Sequence, residues 1–128
     1  MTPIYDISFS NTFNKDLKRI KKRGYDLALM SVVVAKLQAG EALDAKYKDH
    51  SLTGNWKGYR ECHILPDWLL VYRIDNDMLM LVLSRTGTHS DLGTMQNLIS
   101  HFLLKNTVCL RVSESEMYQL FLHSSLDF

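Results

Sequence analysis

The order of predicted elements in this chain indicates an α+β fold. An N-terminal strand and a helical hairpin are expected to pack on one face of a mainly antiparallel, twisted sheet. Two observations predict this: residues 10–39 have the apolar spacing of two helices, and residues 56–84 change to the alternation and short apolar runs of strands. Because helices and strands are segregated along the chain, the helices should cover a single face of the sheet.

The first strand and the first helix are predicted from residues 4–23. Apolar and polar side chains alternate over residues 4–9, which is typical of a short strand. Ser10 or Asn11 can cap the helix that follows, and Gly24 ends it. Its apolar stripe recurs at helical spacing, at Phe13, Leu17 and Ile20.

The second helix is predicted over about residues 26–39, and Gly40 provides a left-handed stop. Its buried face is expected to consist of Leu27, Met30, Val34 and Leu37. Residues 41–55 are polar and are expected to form a loop that ends at Thr53-Gly54-Asn55.

Three strands are predicted next, over about residues 57–65, 68–74 and 78–84, with turns at Pro66-Asp67 and Asp75-Asn76-Asp77. The two-residue period of the first places Lys57, Tyr59, Glu61 and His63 on one face, and Cys62 and Ile64 toward the helices. The apolar run from Met78 to Leu83 predicts a well-covered central strand in which the methionines are core residues.

The domain organisation is predicted as residues 1–93 followed by a C-terminal extension, residues 94–128. The extension is too apolar for a solvated tail, so we expect it to pack as helix, strand and helix over residues 95–105, 107–112 and 114–123. Ser113 has the capping-box spacing that starts the last helix.

Composition excludes several classes of protein. No apolar run approaches the roughly 18 residues of a membrane span, no signal peptide is recognisable, and two cysteines give no disulfide framework or thiol zinc site. We therefore expect a cytoplasmic protein without a membrane partner. Net charge is +1, yet six basic residues crowd into residues 15–23, either as a solvated helix face or as a strip that attracts a polyanion.

Candidate catalytic residues gather between positions 46 and 92. They are His50, His63, Asp67 and His89, with Trp68 beside Asp67. Imidazole titrates near neutrality, so clustered His and Asp side chains can supply both a proton acceptor and a proton donor. Neighbouring side chains suit a phosphate-bearing substrate, namely Lys48, Lys57, Tyr59, Arg60 and Arg85.

Three chemistries could use the residue types of this cluster. Metal binding is disfavoured because the spacing lacks the helical i, i+4 pattern of a His-Glu-x-x-His site. A Cys62–His63 dyad is disfavoured because adjacent strand residues point to opposite faces. Cleavage of RNA without a metal or cofactor fits better: the His and Asp groups transfer protons, Arg85 holds the phosphate, and Trp68 or Tyr59 stacks on a base. In the structural alternative, Trp68 is core and Asp67 is only a turn residue.

The flanking strings resemble YafQ-type toxins of the RelE/ParE superfamily. The resemblance covers about residues 3–92 and rests on four strings: Lys48-Asp49-His50, Gly54-x-Trp56-x-Gly58-x-Arg60, His63-x-x-Pro66-Asp67-Trp68 and Arg85-Thr86-Gly87-Thr88-His89. It implies a compact α+β toxin of a type II pair that cleaves mRNA in the ribosomal A site without a metal ion. It also implies a cognate antitoxin with a ribbon-helix-helix DNA-binding part.

The resemblance also implies roles for the matched residues. His89 is interpreted as the general acid and Asp67 or His50 as the base, with His63 orienting or stabilising and Arg85 contacting phosphate. One position departs from the family pattern, because Gly93 stands where an aromatic residue commonly follows the last His. The alternative function is therefore a toxin-fold binding protein, either a weakened relic that binds antitoxin or a target blocker like the ParE branch.

Overall fold

The computed structural model describes residues 3–93 and 109–112. Within these ranges the elements are β1 (Asp6–Ser10), α1 (Asn11–Lys22), α2 (Leu27–Gln38), β2 (His50–Ser51), β3 (Arg60–Leu65), β4 (Trp68–Asp75), β5 (Met80–Gly87), α3 (His89–Leu92) and β6 (Cys109–Val112). Two 3₁₀ helices, Ala45–Tyr47 and Gly54–Trp56, flank β2.

The described strands form one sheet in the order β2-β3-β4-β5-β1-β6. Neighbours from β2 to β5 are antiparallel, and β6 is antiparallel to β1. The β1–β5 pair is parallel, with Asp6 opposite Met80. The predicted α+β class is confirmed.

The two long helices begin where the sequence provides an acceptor for their first free amides. The Ser10 hydroxyl accepts from the Phe13 N–H at 3.2 Å, and the Asp26 carboxylate accepts from the Ala28 N–H at 3.0 Å. Their apolar faces bury the predicted stripes against the sheet. Cys62 and Ile64 lie in the same core, so the predicted facing of β3 is confirmed.

A buried ion pair fixes α1 to the centre of the sheet. The Asp16 carboxylate accepts from Arg85 Nε at 2.7 Å and from the Thr86 backbone N–H at 3.2 Å. The Asp16 side chain is only 3% exposed. This contact joins positions about 70 residues apart, and the apolar pattern of α1 did not predict it.

The last of the three predicted strands was expected to begin at about residue 78, and this start was wrong. β5 runs from Met80 to Gly87, whereas Met78 and Leu79 lie in the turn and are 61% and 51% exposed. The Asp75 carboxylate accepts from the backbone N–H groups of Asp77 and Met78, which ends β4 and delays β5. Met78 is therefore not a core residue.

The segment expected to be a loop contains the short strand β2, whose His50 pairs with Glu61 of β3. Beyond it, a second apolar cluster of Trp56, Leu69, Val71 and Leu92 packs on the sheet face away from the hairpin. This cluster partly covers the sheet face that the two long helices leave free.

In the extension, β6 lies within the predicted strand 107–112. The predicted helices at 95–105 and 114–123 lie outside the described residues, and the division at residue 93 stays a prediction. Among the helices that the structure describes, none is long and apolar enough to cross a membrane.

Candidate active site

The three histidines and Asp67 meet at one end of the sheet. His50 comes from β2, His63 from β3 and His89 from the first position of α3, while Asp67 lies in the turn between β3 and β4. The ring centroids of His50 and His63 are 6.4 Å apart, and those of His63 and His89 are 5.5 Å apart. His63 therefore lies between the other two rings.

Asp67 orients His89. One carboxylate oxygen, Oδ1, accepts from the His89 backbone N–H at 3.0 Å and contacts the ring Nδ1 at 2.6 Å. The pKa of Asp67 is lowered, first by the backbone hydrogen bond from His89 and then by the ring. A carboxylate at Nδ1 places the proton on that nitrogen and leaves Nε2 for a substrate.

His50 and His63 are each held by a backbone carbonyl. His50 Nδ1 lies 2.8 Å from the Lys48 carbonyl oxygen, and its Nε2 lies 3.6 Å from a Glu61 oxygen. His63 Nδ1 lies 3.4 Å from the Pro66 carbonyl oxygen. In His50 the carbonyl acceptor again assigns the proton to Nδ1, which leaves Nε2 able to accept one.

Asp49 anchors the segment that carries His50. Its carboxylate accepts from Tyr72 Oη at 2.6 Å and from Arg60 Nε and Nη2 at 3.3 and 3.2 Å. These hydrogen bonds raise the pKa of Arg60, and burial together with Asp49 raises that of Tyr72. Arg60 Nη1 also donates to Ser51. Arg60 thus holds this segment, and because its side chain is 38% exposed, its predicted role as a substrate contact stays a prediction.

Trp68 is not available to stack on a base, so that prediction was wrong. Its side chain is fully buried, its Nε1 donates to Thr86 Oγ1 at 2.9 Å, and its ring packs edge-on against Tyr25 at 5.3 Å. Tyr59, the other predicted stacking residue, is half-buried and packs edge-on against Trp56 at 5.2 Å. The Trp68 ring is part of the first apolar cluster, and the Tyr59 ring packs against the second.

Arg85 also differs from its predicted role. Its Nε and Nη2 both donate to Asp16, and its side chain is 17% exposed, so the structure engages it with α1 rather than with a phosphate. Lys48 and Lys57, by contrast, are exposed. Exposed lysines attract phosphate as point charges.

A groove of about 640 Å³ opens beside His63 and His89. Its walls are mainly apolar and come from α2, the first 3₁₀ helix and the end of β3, with lining residues Leu29, Val32, Lys46, Tyr47, Lys48, Ile64, Leu65 and Pro66. Sequence reasoning missed Lys46 and Tyr47, although they directly precede the Lys48-Asp49-His50 string. Lys46 Nζ lies 5.1 Å above the Tyr47 ring, so a cation and an aromatic face occur together in this wall.

Residues 3–93 contain neither a metal-binding cluster nor an accessible thiol. In residues 3–93 no group of three or more His, Cys, Asp or Glu side chains is placed to hold a metal ion. Cys62 is buried in the core, and burial raises the pKa of its thiol to about 12. Its interpretation as a small core residue is confirmed.

Most of the chain matches one known protein family. Residues 5–94 match the family described as a bacterial toxin of a type II toxin–antitoxin system, YafQ. The chain belongs to the YafQ toxin family. The matched residues contain all four residues that were predicted to be catalytic, and the extension lies almost wholly beyond them.

Known relatives of this YafQ-family chain include the mRNA interferase toxin YafQ of Escherichia coli K12. It is 41% identical over 88 residues, which are 68% of this chain and 94% of that relative. The E. coli DinJ–YafQ toxin–antitoxin complex is similar at 40% identity and a TM-score of 0.64, covering 70% of this chain and 97% of that one. A metal-bound toxin from Helicobacter pylori is similar at 48% identity and a TM-score of 0.66, covering 69% and 98%.

Proposed function

We propose that this YafQ-family toxin is an mRNA interferase that cuts mRNA on the ribosome and is held inactive by a cognate antitoxin. The observation that carries the proposal is the hydrogen-bonded Asp67–His89 pair, with two further imidazoles beside it. The curated E. coli relative is named an mRNA interferase, and its family is defined by type II toxin–antitoxin pairs.

The reaction needs two proton transfers. A ribose 2′-hydroxyl attacks the adjacent phosphorus, a base takes its proton, and an acid gives a proton to the leaving 5′-oxygen. His89 suits the acid, because Asp67 stabilises its imidazolium form and leaves Nε2–H to be donated. Of the two candidate bases, Asp67 is engaged with His89, so we assign the base to His50.

His63 and the lysines would stabilise the charge that develops on the phosphoryl oxygens. His63 lies between the proposed base and the proposed acid, so its ring would lie beside the phosphorus that is attacked. Lys46 and Lys48 border the adjoining groove and would bind the flanking phosphates, the role first expected of Arg85. In this route, side chains of this protein carry out both proton transfers and stabilise the charge on the phosphoryl oxygens.

The proposed partners follow from the same relatives. YafQ of E. coli forms a complex with the antitoxin DinJ. We propose a cognate antitoxin, with a ribbon-helix-helix DNA-binding part, for this chain as well. Its substrate would be mRNA engaged with ribosomes, which places the activity in the cytoplasm.

Primer extension on a translating ribosome–mRNA complex tests the proposal. The protein should give discrete A-site cuts, and His89→Ala should slow them by about 10²–10⁴-fold, the usual contribution of a general acid. A substrate with an activated leaving group in place of the 5′-oxygen should restore much of the loss, and Met78→Ala, in the turn between β4 and β5, should cut at the native rate. Failure of rescue would remove His89 from the acid role.

A second candidate, a toxin-fold protein that binds antitoxin without cutting mRNA, is favoured by one observation. Gly93, the C-cap of α3, stands where family members commonly have an aromatic residue. Absence of cuts together with retained antitoxin binding would support this candidate and overturn the interferase proposal.

A further inference from the structure

His89 depends on a very short element for its position. α3 has four residues, His89–Leu92, and a helix of that length has no stability of its own in water. Only Leu92 of this helix is buried, in the second apolar cluster. Something outside α3 must therefore hold the backbone that presents the His89 ring.

Asp91, the third residue of α3, is the point at which such support is attached. Its Oδ2 accepts from the Thr88 backbone N–H at 3.0 Å, and Thr88 Oγ1 accepts from the Asp91 N–H at 3.2 Å, which together form a capping box. Gly87 lies directly against this carboxylate, since a Cβ placed there would be 2.8 Å from Asp91 Cβ. The turn is consequently packed around Asp91.

Arg23, at the C-terminal cap of α1, holds Asp91 from the other side. Its Nη1 and Nη2 donate to the two carboxylate oxygens at 2.6 and 3.1 Å, across 68 residues of sequence. Parallel hydrogen bonds from a guanidinium to a carboxylate fix orientation as well as distance. The Arg23 side chain is 42% exposed and the Asp91 side chain 11%, so the pair lies at the edge of the site.

We infer that Arg23 and Asp91 are positioning residues for His89, a role that extends the proposed function and rests on it. The chain of contacts runs from Arg23 through Asp91 to Thr88, the residue before His89. A second carboxylate, that of Asp67, accepts from the His89 N–H and contacts the His89 ring. The backbone amides of Thr88 and His89 are thus held by two different carboxylates, and one of these is in turn held by Arg23.

An exposed ion pair of this kind contributes little to global stability. A small displacement of a proton donor, however, lowers the rate of a reaction steeply. Loss of the Arg23–Asp91 contact should therefore lower the cleavage rate far more than it lowers the melting temperature. A purely structural ion pair would show the reverse pattern.

Single-turnover cleavage of ribosome-bound mRNA tests the inference. Arg23→Gln should lower the rate constant by about tenfold, with the concentration dependence on ribosomes and the melting temperature close to native. Arg23→Lys, which keeps one charged donor, should recover part of the rate. The double variant Arg23→Gln/Asp91→Asn should be no slower than the slower single variant, because both changes break the same contact.

The matched control is Arg73→Gln. Arg73 has a similar exposure, 38%, and pairs with Asp75 at the opposite end of β4. It should cut at the native rate. If Arg23→Gln also cuts at the native rate, or if it loses melting temperature and rate together, the positioning role is overturned.

Imidazole ¹H–¹⁵N spectra of the toxin alone separate this inference from the proposed function. Arg23→Gln should shift or broaden the His89 resonances and leave those of His50 unchanged, whether or not the protein cuts mRNA. Unchanged His89 resonances would overturn the inference by themselves. Absence of cleavage by the native chain, with the His89 shift present, would overturn only the proposed function.

Discussion

The two ends of the β4–β5 hairpin are both shaped by aspartates, but those aspartates reach very different parts of the chain. At the far end, the Asp75 carboxylate contacts Arg73, Asp77 and Met78, all within three positions. At the site end, Asp67 contacts a residue 22 positions away and Asp91 contacts one 68 positions away. The aspartate of the far turn thus has only nearby partners, although Tyr5 Oη also donates to Asn76 in this turn at 3.1 Å. The site, by contrast, exists only when α1, the β3–β4 turn and α3 are packed together.

The largest expected effect comes from breaking the long-range contact nearest the core. Asp16→Ala leaves the mostly buried Arg85 without its partner and the Thr86 N–H without an acceptor. Removing one member of a buried ion pair costs about 3–5 kcal/mol of unfolding free energy. Urea unfolding followed by tryptophan fluorescence should show the loss, and a change below about 1 kcal/mol would contradict it.

The second-largest effect is expected from the loss of the contact by which Asp67 orients His89. Asp67→Asn removes the charge that stabilises a protonated His89, so the rate of cleavage should fall by about 10²-fold or more. Because Asp67 is exposed, the unfolding free energy should stay close to native. Single-turnover kinetics alongside urea unfolding measure both quantities, and equal activity of the variant would show that Asp67 does not act through His89.

A smaller effect on the unfolding free energy is expected when the pH is lowered. The hydrogen bond from Arg23 is the main cause that lowers the pKa of Asp91 to about 2, below the value near 3.9 of an unfolded chain. A lowered carboxyl pKa stabilises the fold above the unfolded value, and this is lost as pH falls from about 4 through 2. Over this window the native chain should lose more unfolding free energy than Asp91→Asn, but by less than about 1 kcal/mol, because the ion pair is open to solvent. Parallel slopes in a pH series of urea unfolding would contradict the expectation.

The smallest effect should come from the far turn. Met78→Ser replaces an exposed side chain beside a turn that local hydrogen bonds maintain, so stability should change by less than about 0.5 kcal/mol. Cleavage should be unaffected. A marked loss of cleavage in this variant would mean that the two ends of the hairpin are coupled, and the contrast between them would fail.

Much of the fold could be predicted because its signals are local. Ser10 and Asp26 cap helices that begin within a few residues, the spacing of Phe13, Leu17 and Ile20 defines one buried stripe, and alternation in β3 assigns Cys62 to the core. The start of β5 was missed because an apolar run does not reveal that Asp75 holds Met78 in a turn. Hydrophobicity records the tendency to be buried, but turn geometry decides which residues of a run enter the strand.

The amino-acid sequence alone determined most helices and strands, the family strings and the choice of four candidate catalytic residues, since these depend on nearby positions and on side-chain chemistry. Tertiary structure decided how the surrounding residues are used. Trp68 is buried against Thr86, Arg85 is paired with Asp16, and Arg23 reaches Asp91, although each looked as suited to RNA as Lys48 does. An arginine or a tryptophan has the same chemistry in either role, and only packing between distant segments fixes which partner it meets.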